Sequence, residues 1–247
     1  MISLTKGFDC STPLTTKTAA AFVQDGYVFV ARYLVPSGAK ALTKTEANAI
    51  SAAGLQLLSV FETTASRALG GRSAGLADGD TALQVAQSVG QPPGSAIYFA
   101  VDFDASSAQM STVIEYIRAA SEATPDYFTG VYGSYDVVEA VRTAGACSKF
   151  WQTYAWSRGE KSAYMNVYQY QNDVTLHGIG VDYDESYGNE GFWNTLAPAP
   201  YMIATADANK IIPFLAAGYE ATTSDPARAE FHRLANELRK ASNQPEE

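Results

Sequence analysis

Acidic residues stand at the ends of several apolar runs in this sequence. The clearest case is AIYFAVDFD (96–104), an apolar run that finishes in Asp102 and Asp104. Because residues i and i+2 of a β-strand lie on the same face, these two carboxyl groups are expected to point the same way. The acidic residues at such strand ends are Asp9, Glu62, Asp102, Asp104, Asp182 and Asp184. We predict that the first five of these are the catalytic residues of a single site.

Carboxyl groups gathered in one site support the chemistry of glycoside hydrolysis. One carboxyl group has a pKa raised by burial or by a neighbouring charge, and it protonates the leaving oxygen. A second carboxylate stabilises the oxocarbenium ion, attacks it, or activates water. The chain has only two histidines and two cysteines, too few for a zinc site or a histidine-based triad. We predict no metal and no cofactor, the alternative being a carboxylate chemistry that uses a divalent metal.

The apolar runs alternate with helical patterns over most of the chain. Runs with the composition of buried strands occupy residues 7–10, 27–34, 55–63, 96–104, 128–134, 149–156, 166–171 and 180–186. Helical patterns between the first six runs occupy residues 15–26, 43–54, 79–90, 106–124 and 134–145. This order predicts an α/β fold, a (β/α)8 TIM-type barrel that is irregular in its last third. An open doubly wound sheet would need a glycine-rich phosphate turn after its first strand, and DCSTPLT (9–15) contains no glycine.

A barrel of this kind explains why the acids stand at strand ends. The carboxyl ends of all parallel strands open on the same mouth, where active sites of these barrels lie. Aromatic faces and amide groups near other strand ends suit a sugar, which offers apolar C–H patches and many hydroxyl groups. The predicted substrate-binding residues are Arg32, Tyr33, Tyr132, Gln152, Trp156 and Gln169.

The end of the chain differs in character from the rest. We predict a barrel domain over 1–196, a Pro- and Ala-rich linker over 197–204, and a disordered tail over 243–247. Residues 205–242 carry apolar side chains at helical spacing, with Asp225 and Pro226 suited to a helix start, and predict a helical hairpin. This hairpin either packs on the barrel or binds a wall or another partner.

The overall composition limits the classes of partner that the protein is expected to bind. The net charge of −9 over 247 residues argues against non-specific binding to nucleic acid or to anionic lipid. No segment approaches the roughly 18 apolar residues that span a membrane, and the start lacks the pattern of a signal peptide. We expect a monomer that binds a glycan and that is cytoplasmic as made, or released to the cell wall by a non-signal route. A chain that begins after a removed signal is the alternative.

Several motifs, taken in order, resemble a known family. They are GFDCS near the start, RYL in the second strand, AVDFD in the fourth, VYGS in the fifth and GVDYDES in the eighth. Over residues 5–194 the chain resembles the glycoside-hydrolase-like domain family of unknown function, which is related to the family 25 lysozymes. The resemblance implies a β/α barrel that acts on bacterial peptidoglycan, as the cell-wall lytic enzymes of bacteria and phages do.

The resemblance also implies roles for the acids. Family 25 enzymes carry an aspartate on strand 1, Asp-x-Glu on strand 4 and an aspartate on strand 8, and Asp9, Asp102 and Asp182 match the aspartates. The glutamate, which is the general acid, corresponds to Asp104, whose side chain is one methylene shorter. Asp104 is therefore the expected proton donor, with Glu62 as the alternative. A non-catalytic glycan- or wall-binding barrel with a degenerate lysozyme site is the alternative function.

Overall fold

The computed structural model describes residues 4–196, 205–242 and 244. The chain divides into two units, Met1–Leu196 and Ala197–Glu247, which are described separately below. The predicted linker over 197–204 lies outside the described residues, as does the predicted tail over 243–247 apart from residue 244.

The first unit is a closed barrel of eight strands, each paired with the next, with the eighth paired to the first. The strands are β1 (Thr5–Asp9), β2 (Phe29–Tyr33), β3 (Gln56–Phe61), β4 (Ala96–Ala100), β5 (Phe128–Gly133), β6 (Lys149–Thr153), β7 (Val167–Leu176) and β8 (Ile179–Ser186). The helices are α1 (Thr16–Gln24), α2 (Lys44–Ala53), α3 (Gly71–Val89), α4 (Met110–Ala123) and α5 (Tyr135–Thr143). The predicted TIM-type barrel is confirmed.

Local sequence signals set the helix ends. Thr43 begins α2 by accepting a hydrogen bond from the backbone N–H of Glu46, and Ser134 does the same for Val137 in α5. Gly54 and Gly90 end α2 and α3 in the left-handed conformation, which glycine adopts without strain. Each helix therefore stops where the next strand must begin.

The last strand runs in the opposite direction from the prediction. β1 to β7 are parallel, but β8 is antiparallel to both of its neighbours. Its connection to β7 is the tight turn at His177 and Gly178, far too short for the crossover that a parallel strand needs. The expectation that every strand directs its carboxyl end to the mouth is therefore wrong for β8. Asp182 reaches the mouth because it pairs with Asp9, the last residue of β1.

The core has two layers, one on each face of the barrel wall. Side chains such as Phe29, Tyr98 and Trp151 fill the interior of the barrel. Side chains such as Phe8 and Ile97 lie between the strands and the surrounding helices. Because β3 and β4 are buried on both faces, their sequences are nearly continuous apolar runs.

The second unit consists of two helices, α6 (Thr205–Ala221) and α7 (Asp225–Ala241). They pack closely where the ring of Phe231 lies over Gly218, since a Cβ atom at this glycine would come within 2.7 Å of the ring. Within the described ranges, no helix is long and apolar enough to cross a membrane.

Candidate active site

A cavity of about 140 Å³ opens at the mouth of the barrel. It is lined by Asp9, Tyr33, Val60, Glu62, Asp102, Tyr132, Trp151, Gln169, Asn172 and Asp182. Four of the five predicted catalytic residues are in this set. They come from four places in the fold: the end of β1, the residue after β3, the loop after β4, and the middle of β8.

The structure does not bring Asp104 to this cavity. β4 ends at Ala100, so Asp102 and Asp104 lie in the following loop, where the alternation of a strand no longer applies. The Asp104 side chain is 54% exposed and faces Arg158, with 3.7 Å between Oδ1 and Nη2. The two aspartates therefore do not form the adjacent pair that their spacing indicated.

The predicted substrate-binding residues divide into two groups. Tyr33, Tyr132 and Gln169 line the cavity. Arg32 is fully buried and pairs with Glu46, with 2.7 Å between Nε and Oε1. Arg32 thus holds helix α2 to the barrel and does not face the cavity.

Gln152 lies in β6, and Trp156 lies in the loop that follows this strand. Gln152 is fully buried, where its Nε2 donates to the Glu160 carbonyl at 2.8 Å and its Oε1 accepts from the Ser162 N–H at 2.8 Å. Trp156 is half-exposed and lines a second cavity of about 390 Å³ together with Arg158. Gln152 holds this loop in place, and Trp156 is not among the residues that line the first cavity.

Gln169 links two of the acids. Its Oε1 accepts hydrogen bonds from the hydroxyl groups of Tyr132 and Thr153, each at 2.8 Å. Because two hydroxyl donors fix the carbonyl end of the amide, its Nε2 must point the other way. This nitrogen donates to Asp9 Oδ2 at 2.7 Å and faces Asp182 Oδ2 at 3.4 Å.

An irregularity in β7 adds two residues that the sequence analysis did not identify. The pairing of β7 with β8 shifts register between Gln169 and Val174, as at a β-bulge. The bulge brings Asn172 to the cavity wall and places Asp173 in the left-handed conformation, at φ 59°. The Asp173 N–H then donates to Asp182 Oδ1 at 2.8 Å. The signal for this extended hairpin was the His-Gly pair at 177–178 between two polar-apolar alternations.

The three aspartates of the cavity have pKa values raised above that of free aspartate. Burial, with a contribution from the charge of Asp182, raises the pKa of Asp9 to about 8, although its hydrogen bonds lower it. Burial also raises the pKa of Asp102, with a further contribution from Glu62 and an opposing one from Lys40. For Asp182, burial raises the pKa and the N–H of Asp173 lowers it.

Glu62 is the acid with a cationic partner. Its Oε1 lies 3.4 Å from Lys40 Nζ, which also lies over the ring of Tyr33 at 4.1 Å. Within the described residues, no group of three or more His, Cys, Asp or Glu side chains is arranged to hold a metal ion.

Comparison with known protein families identifies the family of this chain. Residues 20–194 match the family described as Rv2525c-like, glycoside hydrolase-like domain. The chain belongs to this family. The resemblance found in the motifs is thereby confirmed, and the matched residues run from within α1 to just past the end of β8, with β1 outside the match.

Proteins related to this glycoside hydrolase-like domain have been named, and structures of similar proteins have been solved. A Mycobacterium tuberculosis H37Rv protein named as a candidate peptidoglycan hydrolase, Rv2525c, is 26% identical over 162 residues, covering 61% of this chain and 67% of the relative. The crystal structure of the Tat-secreted Rv2525c with L-tartrate has a TM-score of 0.68 at 23% identity, covering 78% of this chain and 100% of that one. The structure of the modular autolysin LytC of Streptococcus pneumoniae has a TM-score of 0.55 at 12% identity, covering 77% of this chain and 47% of that one. The two structures share the fold.

Proposed function

We propose that this barrel is a glycosidase that cleaves the glycan strands of bacterial peptidoglycan, with the cavity at its mouth as the active site. The observation that carries the proposal is the convergence of four carboxyl groups, from four parts of the chain, on one cavity. The name of the M. tuberculosis relative supports peptidoglycan as the substrate. A wall substrate requires export, which the Tat-secreted relative favours.

Asp102 is the best proton donor among the acids of the cavity. It is half-buried, its pKa is raised, and within the described residues its carboxyl group accepts no hydrogen bond that would favour the ionised form. The position that the family resemblance assigns to the donor, Asp104, faces Arg158 outside the cavity. We therefore assign the role of proton donor to Asp102, which is two residues closer to β4 than Asp104.

Glu62 and Asp182 are the proposed ionised partners. Glu62 lies at the cavity wall with Lys40 beside it, a position that suits its carboxylate to activate water or to attack the anomeric carbon. Asp182 accepts from the Asp173 N–H and faces the Gln169 amide, so its charge is held in place to stabilise positive charge in the transition state. Asp9, fixed by Gln169, orients a sugar hydroxyl group.

The cavity continues into a cleft that has room for more than one sugar. A neighbouring cavity of about 200 Å³ shares Asp9, Tyr33 and Asp182 with the first and adds Ser11 and Asp173. Aromatic rings at Tyr33 and Tyr132 provide faces on which sugar C–H groups can pack. In this proposal Trp156 contacts the glycan farther along, beside the mouth.

Asp102→Asn and Asp104→Asn test the proposal as a matched pair from one loop. Clearance of a suspension of purified cell walls should fall by about 100-fold or more in the first variant, because proton donation contributes that much. The second variant should stay close to the unchanged protein, because Asp104 does not reach the cavity. The reverse result would return the donor role to Asp104, and Glu62→Gln should be assayed beside both.

A second function, binding of wall glycan without cleavage, is favoured by one observation. The residue at the family's proton-donor position is exposed and paired with Arg158, as expected if that position no longer serves catalysis. Under this function, the unchanged protein would sediment with purified walls and release no reducing ends. Asp102→Asn would then bind walls as well as the unchanged protein does.

A further inference from the structure

Asp184 is a fully buried acid behind the cavity. It lies on β8 and is paired across the sheet with Gly7 on β1 and with Gln169 on β7. Because side chains alternate along a strand, Asp184 shares the inner face of the barrel with Asp182, two residues earlier. Neither the sequence motifs nor the family resemblance assigned it a role.

The hydrogen-bond partners of Asp184 indicate which of its carboxyl oxygens carries a proton. The indole Nε1 of Trp151 donates to Asp184 Oδ1 at 2.9 Å, while Oδ2 is buried and receives no N–H or O–H from any described residue. Asp9 lies diagonally across from Asp184 on the same inner face, because Asp9 pairs with Asp182 and Gly7 pairs with Asp184. Two ionised carboxylates can only accept hydrogen bonds, so a hydrogen bond between these neighbours requires that one of them carry a proton. Since Gln169 already donates to Asp9, the unpartnered Oδ2 of Asp184 is the atom left to carry it.

We propose that Asp184 is a neutral carboxylic acid in the folded protein and that it positions Asp9 by donating a hydrogen bond from Oδ2. It is a positioning residue, since it lies behind the acids that line the cavity. Only its consequence for turnover rests on the proposed glycosidase function.

The surroundings of Asp184 agree with a neutral group. The charged side chains that act on it are Asp9 and Asp182, both acidic, so a charge on Asp184 would be buried without a counter-ion. Burial raises the pKa of Asp184 well above its usual range, and the donated hydrogen bond lowers the pKa of Asp9. Asp184 thus makes Asp9 easier to ionise than burial alone would allow.

Infrared difference spectroscopy tests the protonation state without any substrate. At pH 9, above the pKa of Asp9, the spectrum should still contain the carbonyl stretch of one neutral carboxylic acid. Asp184→Asn should remove that band, whereas Glu185→Gln, a change at the adjacent outward-facing position of β8, should leave it in place. A spectrum at pH 9 with no neutral carboxyl band, or a band that survives in Asp184→Asn, would overturn the proposal.

Unfolding measured against pH gives a second readout. Between about pH 5 and 8 the unfolded chain releases the proton of Asp184, whereas the folded protein keeps it. Through this group, each rise of one pH unit therefore increases the equilibrium constant of unfolding about tenfold. Asp184→Asn should remove that share of the pH dependence, because its amide can still donate to Asp9 and accept from Trp151 but carries no titrating proton. An unchanged pH dependence in this variant, with Glu185→Gln as control, would contradict the proposal.

Turnover adds a readout that depends on the proposed function. If walls are cleaved, Asp184→Asn should keep most of the activity, whereas Asp184→Leu should shift the limb of the pH profile that belongs to Asp9 to higher pH. If no variant cleaves walls, the infrared and unfolding results still decide the state of Asp184, and only the glycosidase proposal fails.

Discussion

At the scale of single residues, the sequence identified the acids but not their partners. Asp9, Glu62, Asp102 and Asp182 could be found because acids at the ends of apolar runs are conspicuous. The fixed orientation of Gln169 and the proton of Asp184 depend on hydrogen bonds between residues far apart in the chain, which no local pattern records. Asp104 was misplaced because strand alternation was carried past the end of β4 at Ala100.

Arg32 shows how a buried charge can resemble a site residue in a sequence. It was predicted to bind substrate, but it lies inside the protein, where it contacts Glu46 and donates to the carbonyl group of Cys10. Removing one member of a buried ion pair leaves the other charge uncompensated, which costs about 3–5 kcal/mol. We expect Glu46→Gln to lower the free energy of unfolding by about that amount in urea titrations.

A surface pair is the control for this prediction. Glu122→Gln breaks the exposed contact between Arg72 and Glu122 and should leave the free energy of unfolding almost unchanged, because solvent screens this pair. A loss of wall affinity in Glu46→Gln without a loss of stability would show that Arg32 serves the substrate after all.

At the scale of elements, the β7–β8 hairpin gives the site its shape. The turn residues His177 and Gly178 both have positive φ, at 51° and 81°, as a two-residue hairpin turn requires. Gly178→Val forces a β-branched residue into this conformation, which should cost about 1–2 kcal/mol of stability. Because the hairpin carries Asp173 and Asp182, thermal melts and wall cleavage should both decline.

Gly180→Ala is the matched control in the same hairpin. A Cβ atom at Gly180 meets no atom within 4 Å, so the change should leave stability within about 0.5 kcal/mol. If both variants were equally stable, the turn would not determine the register of β8.

The order of elements was predictable, whereas the direction of the last strand was not. Glycine stops and capping residues set the ends of the helices, and buried runs give strands whichever way they point. The direction of β8 depends on the length of the connection before it. The predicted seventh strand ends at residue 171, whereas β7 continues to Leu176. The predicted connection between the last two strands is therefore longer than the actual turn.

At the scale of the whole molecule, the barrel and the helical pair are proposed to be independent. The barrel unit contains the closed sheet, its helices and every residue of the cavity, all before residue 197. We expect a chain that ends at Ala199 to fold and to keep the activity of the site towards soluble glycan fragments. Thermal melts and an assay of released reducing ends measure this, and a truncated chain that fails to fold would show that the helical pair is part of the barrel's stability.

The closure of the sheet determines when the site forms during folding. β1 completes the barrel by pairing with β8, and the bond between Gln169 and Asp9 joins residues 160 positions apart. Contacts between such distant parts of a chain form late and slowly, because the ends of a long loop must first meet. A growing chain cannot assemble these acids until β8 has been synthesised. Until then β1 and β7 have unpaired edges that another chain can join, so aggregation competes with folding at this step.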